Sequence, residues 1–185
     1  MALLKLFPGA VYSHGAQSFL IEDLDAKARI AWAVPRDPRT LDFYTEVRDH
    51  TRVKVQNVEA VRKCTFGSVE HGIVQVSKQV YGYRRKRKKD HELVALGDLS
   101  MPSYDFTASS AWIRLRPGVL GADPEAAAGA LHALEHALLS LLPLHIPVDP
   151  REVACQCTRR DGDALSTYLL LFEAEGGLGL MRAVR

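Results

Sequence analysis

From Ala10 to about Leu115, apolar and polar positions alternate in short runs, the pattern of strands covered on one face by a core. Ser18 to Leu24 and Arg29 to Val34 form two such runs, and Asp25-Ala-Lys-Ala between them has the composition of a hairpin turn. Pro35 and Pro38 then break the pattern. In Thr51 to Val58, Val53 and Val55 fall on one face and Arg52, Lys54 and Gln56 on the other. A longer strand is expected from about Gly72 to Tyr83, with Val74, Val76 and Val80 on one side. His91 to Leu96 and Phe106 to Leu115, the latter with Thr107, Trp112 and Ile113, continue the series. Closely spaced strands without helices between them predict an antiparallel sheet or small barrel.

The pattern changes at Pro117-Gly118. Asp123 suits a helix N-cap, Pro124 the first helical position, and Glu125 the positive end of the helix dipole. Ala127, Leu131, Leu134, Leu138 and Leu141 recur at helical spacing, and Pro143 is expected to end the helix. Asp149-Pro150 suits the cap of a short second helix through Val153, and Leu165 to Phe172 reads as a buried strand. The expected fold is α+β, with an antiparallel β-rich, barrel-like module over 1–117 and a smaller helix-plus-strand module over 118–185.

Composition narrows the class. With 185 residues, 47% hydrophobic and 25% charged, the chain can bury a sizeable core. Its longest apolar run, around Ala137 to Val148, is interrupted by Pro143, His145 and Pro147, so no membrane span is expected. Its first residues are too short and too soon broken by Pro8 for a secretory signal. Three cysteines without framework spacing favour a reducing, cytoplasmic setting. The formal charge is +2, yet Arg84-Arg85-Lys86-Arg87-Lys88-Lys89 alone carries +6, which leaves −4 for the rest. Charge concentrated in this way points to a local anionic contact. A cationic run between two strands can reach phosphates from a hairpin tip, with Tyr81 and Tyr83 before it for stacking or sugar contact.

Other motifs carry less. His132-Ala-Leu-Glu135-His136 matches the inverted zinc-peptidase signature and places both imidazoles on one helix face, nearly opposite the leucines. Such an enzyme needs a further ligand, for which Glu152, Glu173 and Glu175 are the downstream candidates. Cys155-Gln-Cys157 offers two thiols one residue apart, short of a four-ligand site. No catalytic residue and no metal site is assigned; His132, His136, Cys155 and Cys157 are the side chains a metal would draw on. Gly176-Gly-Leu-Gly179 follows a strand but lacks the Lys-Ser or Lys-Thr of a phosphate-binding loop, and no nucleotide-binding motif occurs elsewhere.

The order of several segments resembles one family. Pro8-Gly9-Ala10-Val11-Tyr12-Ser13-His14-Gly15-Ala16-Gln17-Ser18-Phe19-Leu20-Ile21, followed by Leu24-Asp25, resembles a stretch found after the motor core of MrfA-type superfamily 2 DNA helicases. These are DEAD/DEAH-box repair helicases with a C-terminal cysteine-containing (MZB) domain. Phe43-Tyr44-Thr45, Phe66-Gly67 with Val74 to Val76, Val80-Tyr81-Gly82-Tyr83, and Phe106-Thr107 with Trp112 follow in the family's order. So do Ala130 to Leu139, Pro143, Asp149-Pro150 and Phe172 to Gly179. The resemblance implies a non-catalytic accessory module of an ATP-dependent DNA helicase, with DNA and the helicase motor, in cis or in trans, as partners. The histidine helix would then belong to the accessory domain and have no peptidase role. No cofactor is expected in this chain, whereas ATP with magnesium, and zinc, are expected in a full-length parent. The family's zinc cysteines normally follow the Gly-Gly-x-Gly segment; this chain stops at Arg185 ahead of them, as a fragment or a truncated member would. The rival readings are a small zinc hydrolase built on His132, Glu135 and His136, and a protein-interaction scaffold.

Overall fold

The computed structural model describes residues 2–116, 118–159, 167–174, 177, 179 and 181. The expected α+β class is what it shows: nine strands and one α-helix among the described residues. They fall into two compact units, one of residues 1–52 with 77–105 and the other of 53–76 with 106–185. Strands β4 (Phe43–Cys64) and β5 (Gly67–Arg87) are each long enough to run from one unit into the other. The units therefore do not divide at 117/118. A strand that reads as one element of a module here belongs to two cores along its length.

In the first unit, β1 (Val11–His14), β2 (Gln17–Asp25) and β3 (Ile30–Arg36) form a three-stranded antiparallel sheet in that order. Asp25 Oδ1 accepts the Lys27 and Ala28 N–H groups at 2.9 and 2.8 Å, closing the expected hairpin, and Arg29 takes a positive φ of 59°. Pro35 does not end the strand as expected. It lies inside β3, opposite Phe19. Because β3 pairs with β2 alone, it is an edge strand, where the missing N–H is tolerated. Strand β6 (Leu93–Asp98) pairs antiparallel with the end of β5. The core here is Phe7, Ala10, Ile21, Val80 and Met101, with Tyr83 and Val47 packed against it.

In the second unit the sheet order is β4-β5-β7-β9-β8, with β7 at Tyr104–Leu115, β8 at Val153–Arg159 and β9 at Thr167–Glu173. One face buries Val74, Val76, Trp112, Leu170 and Phe172. The other carries helix α1 (Pro124–His145), packed through Leu142 and its neighbours on Val153, Leu169 and Leu171. At the β4–β5 turn, Gly67 has a φ of 151°, and a Cβ there would lie 1.9 Å from the Arg114 carbonyl oxygen, so only glycine fits. Glu70 is buried in this unit, where its carboxylate accepts from Ser68 Oγ at 2.7 Å, Trp112 Nε1 at 2.9 Å and Arg114 Nε at 2.9 Å.

Helix α1 begins as expected, with the Asp123 side chain accepting the Glu125 N–H at 3.1 Å. Its end differs. Pro143 sits inside the last turn, and the helix continues to His145. A proline this close to the end removes one backbone donor, and the Ile146 N–H still reaches the Leu142 carbonyl at 3.0 Å. By length and composition alone α1 is apolar enough to cross a membrane, against the expectation from interrupted apolar runs. Its buried side, Leu131 and Leu142, faces β8 and β9, and most of the rest of the helix is exposed. The short second helix is a 3-10 turn, Pro150–Glu152, closed by a capping box between Asp149 and Glu152. Beyond it the chain enters β8, a strand the pattern did not announce. Of the expected buried strand, Leu165 and Ser166 lie outside the described residues, as do Glu175, Gly176 and Leu178 of the glycine-rich stretch.

Candidate nucleic-acid interface

The basic run lies mainly on a strand arm rather than on a tip. Arg84 to Arg87 are the last four residues of β5, and Lys88, Lys89 and Asp90 form the turn towards β6. Alternation along β5 sends Arg84 and Lys86 to one face and Arg85 and Arg87 to the other. The turn is held by backbone bonds from Lys88 N–H to the Asp42 carbonyl at 2.7 Å and from Arg87 N–H to the Glu92 carbonyl at 2.9 Å.

Half of these cations are engaged inside the unit. The Arg85 guanidinium lies 4.3 Å from the centre of the Phe43 ring, a cation–π contact. Lys86 Nζ is 2.7 Å from Glu46 Oε2. Arg87 Nη1 is 2.9 Å from Asp90 Oδ2 and 2.7 Å from Glu92 Oε2. The Lys86 hydrogen bond holds the Glu46 carboxyl below its ordinary range, and the charge of Arg84 adds to that effect. Asp90 is likewise held low, first by the Glu92 N–H and then by Arg87. Arg84, Lys88 and Lys89 are exposed and donate to no carboxylate among the described residues. These three are the charges most available to an external anion.

The two tyrosines separate. Tyr81 is 44% exposed, with the Arg48 guanidinium 4.8 Å from its ring centre. Tyr83 is turned inward, 5.4 Å from the Phe7 ring centre and against Gly9 and Gly97. A ring packed in this way is not presented for base stacking. Phe43, Tyr44 and His91, which charge-based reasoning passed over, frame the basic end. Tyr44 Oη lies 3.0 Å from His91 Nδ1, and His91 has a positive φ of 60°. Their signal in the sequence is faint, because Phe43-Tyr44 is distant from the run and meets it only through the β4–β5 pairing.

The other candidates lie in the second unit. His132 and His136 are exposed on α1, and Cys155 and Cys157 are half-buried on β8. Burial, followed by the Glu135 carboxylate, pushes both thiols up to about 12, so they stay protonated. Among the described residues no three histidine, cysteine, aspartate or glutamate side chains converge as a metal cage.

The chain is similar to part of several helicases, in line with the resemblance read from the sequence. The ATP-dependent helicase hrq1 of Schizosaccharomyces pombe is 28% identical over 159 residues, 83% of this chain and 14% of the relative. The ATP-dependent helicase HRQ1 of Saccharomyces cerevisiae is 24% identical over 93% of this chain and 17% of its own length. The chain thus spans less than a fifth of the curated relatives it matches. The DUF1998 helicase MrfA, crystallised bound to DNA, shares the fold over 99% of this chain and 24% of its own, with a TM-score of 0.71 at 20% identity. The same helicase with DNA and AMPPNP aligns with a TM-score of 0.61. No family model matches the chain.

Proposed function

We propose that this chain is a non-catalytic accessory module of an ATP-dependent DNA helicase, contacting DNA while a motor elsewhere hydrolyses ATP. The observation that carries the reading is the basic end of the β5–β6 hairpin, where Arg84, Lys88 and Lys89 are left exposed beside internally paired neighbours. Lysine and arginine on a rigid strand arm meet phosphates without sequence preference. The likeness to a helicase crystallised with DNA supports the same partner. Leu141 and Leu144 of α1, 49% and 77% exposed, supply an apolar surface of the kind that docks against further protein, which favours packing on the motor.

The test is a salt titration of duplex DNA binding. Changing Arg84, Lys88 and Lys89 together to serine should reduce the slope of log K against log salt by about 2.7, from roughly 0.9 per phosphate contact. Changing Lys86 alone should reduce it little, because Glu46 already neutralises that cation. An unchanged slope in the triple variant sinks the DNA-contact reading.

A further inference from the structure

Beyond nucleic-acid contact, the exposed face of α1 holds a small built geometry. His132 and His136 stand one helical turn apart with their rings nearly perpendicular, centres 4.5 Å apart at 81°. Their Nε2 atoms approach to 3.2 Å. Two nitrogens each about 2.0–2.1 Å from one zinc ion at the tetrahedral angle stand roughly 3.3 Å apart. The observed spacing matches that requirement.

A second layer orients the pair. His132 Nδ1 lies 3.6 Å from Glu135 Oε2, an approach longer than a hydrogen bond, which sets the carboxylate beside Nδ1 while Nε2 faces His136. Glu135 is itself fixed, because Cys157 Sγ donates to the same oxygen at 3.2 Å. A chain of thiol, carboxylate and imidazole therefore runs from strand β8 to the helix surface and ends at a nitrogen aimed at a second imidazole. We propose that His132 and His136 form a two-point chelate for a divalent transition cation of the zinc, copper or nickel type, with Glu135 as the positioning residue and water completing the coordination. Neutral imidazole suits these cations, and two ligands close to a preset distance lose little freedom on binding. This is not a peptidase centre: the third protein ligand of such a site is absent among the described residues. Cys155 and Cys157 take no part as ligands.

The probe is Zn2+ itself, titrated into the reduced chain at neutral pH against a chromophoric chelator. One equivalent should bind. His132→Ala and His136→Ala should each weaken it by at least roughly tenfold, and the double variant should be little worse than either, since a chelate needs both arms. Glu135→Gln should cost on the order of tenfold with both histidines in place. Cys155→Ser should leave affinity unchanged. Both histidines are exposed, so the zinc-free thermal midpoints of their variants should match the parent and exclude misfolding as the cause. Equal zinc affinity in the parent and His136→Ala, or loss of zinc in Cys155→Ser, overturns the proposal.

Discussion

Glu70 shows how one buried charge is kept ionised. Burial pushes its carboxyl up, but hydrogen bonds from Ser68, Trp112 and Arg114 outweigh that and hold it below the ordinary range. A group with a lowered folded-state value stabilises the fold fully above its unfolded value and loses that contribution as pH falls through the folded one. Glu70→Gln should therefore be less stable than the parent at neutral pH, and their thermal midpoints should draw together in acid. Trp112→Phe keeps most of the ring but leaves Glu70 Oε2 without its 2.9 Å donor, and should cost about 1–3 kcal/mol in a denaturant titration. At Cys155 and Cys157 the same physics runs the other way. With thiols pushed up to about 12, roughly one in ten thousand is ionised near pH 8, so alkylation should be very slow until the chain is unfolded. Fast labelling of both in the native protein would refute that burial.

At the scale of elements, the helix settles which leucines matter. Leu142, eleven residues after Leu131, returns within about 20° of the same direction, whereas Leu141 stands roughly 80° away. The core accordingly holds Leu131 and Leu142, and Leu141 of the expected stripe is 49% exposed. Leu142→Ala should cost about 2–5 kcal/mol, while Leu141→Ala should stay within roughly 0.5 kcal/mol, read from denaturation midpoints. The helix start was legible because Asp123-Pro124-Glu125 is a local signal. The buried side of β5 was legible because Val74, Val76 and Val80 repeat with period two. Strand β8 was not, because Val153-Ala-Cys-Gln-Cys-Thr-Arg159 has no run of large apolar residues at alternate positions and lies at the end of the sheet order. For the basic run the charge was legible and its pairing was not. Glu46 and Phe43 reach Lys86 and Arg85 only through strand pairing some forty residues apart, which no local pattern encodes.

For the whole molecule, the discontinuous units make a prediction about cutting the chain. A fragment ending at 117 keeps β7 but loses β9, its partner from Ser110↔Phe172 to Leu115↔Thr167. Trp112, 1% exposed, would lose Leu170 and Phe172 from its cluster. Such a fragment should show a red-shifted tryptophan spectrum and no cooperative transition for its second unit; a sharp transition with buried tryptophan emission would contradict the division. The same connectivity bears on how the protein is made. A ribosome delivers the chain from its first residue at about 5–20 residues per second. Helix α1 emerges before β8 and β9, the strands that cover its Leu131–Leu142 side. That side waits for β9 over about 30 residues of synthesis, about 1.5–6 s, and Trp112 waits for Phe172 over about 60 residues, about 3–12 s. The second unit can complete its sheet only once β9 has left the exit tunnel.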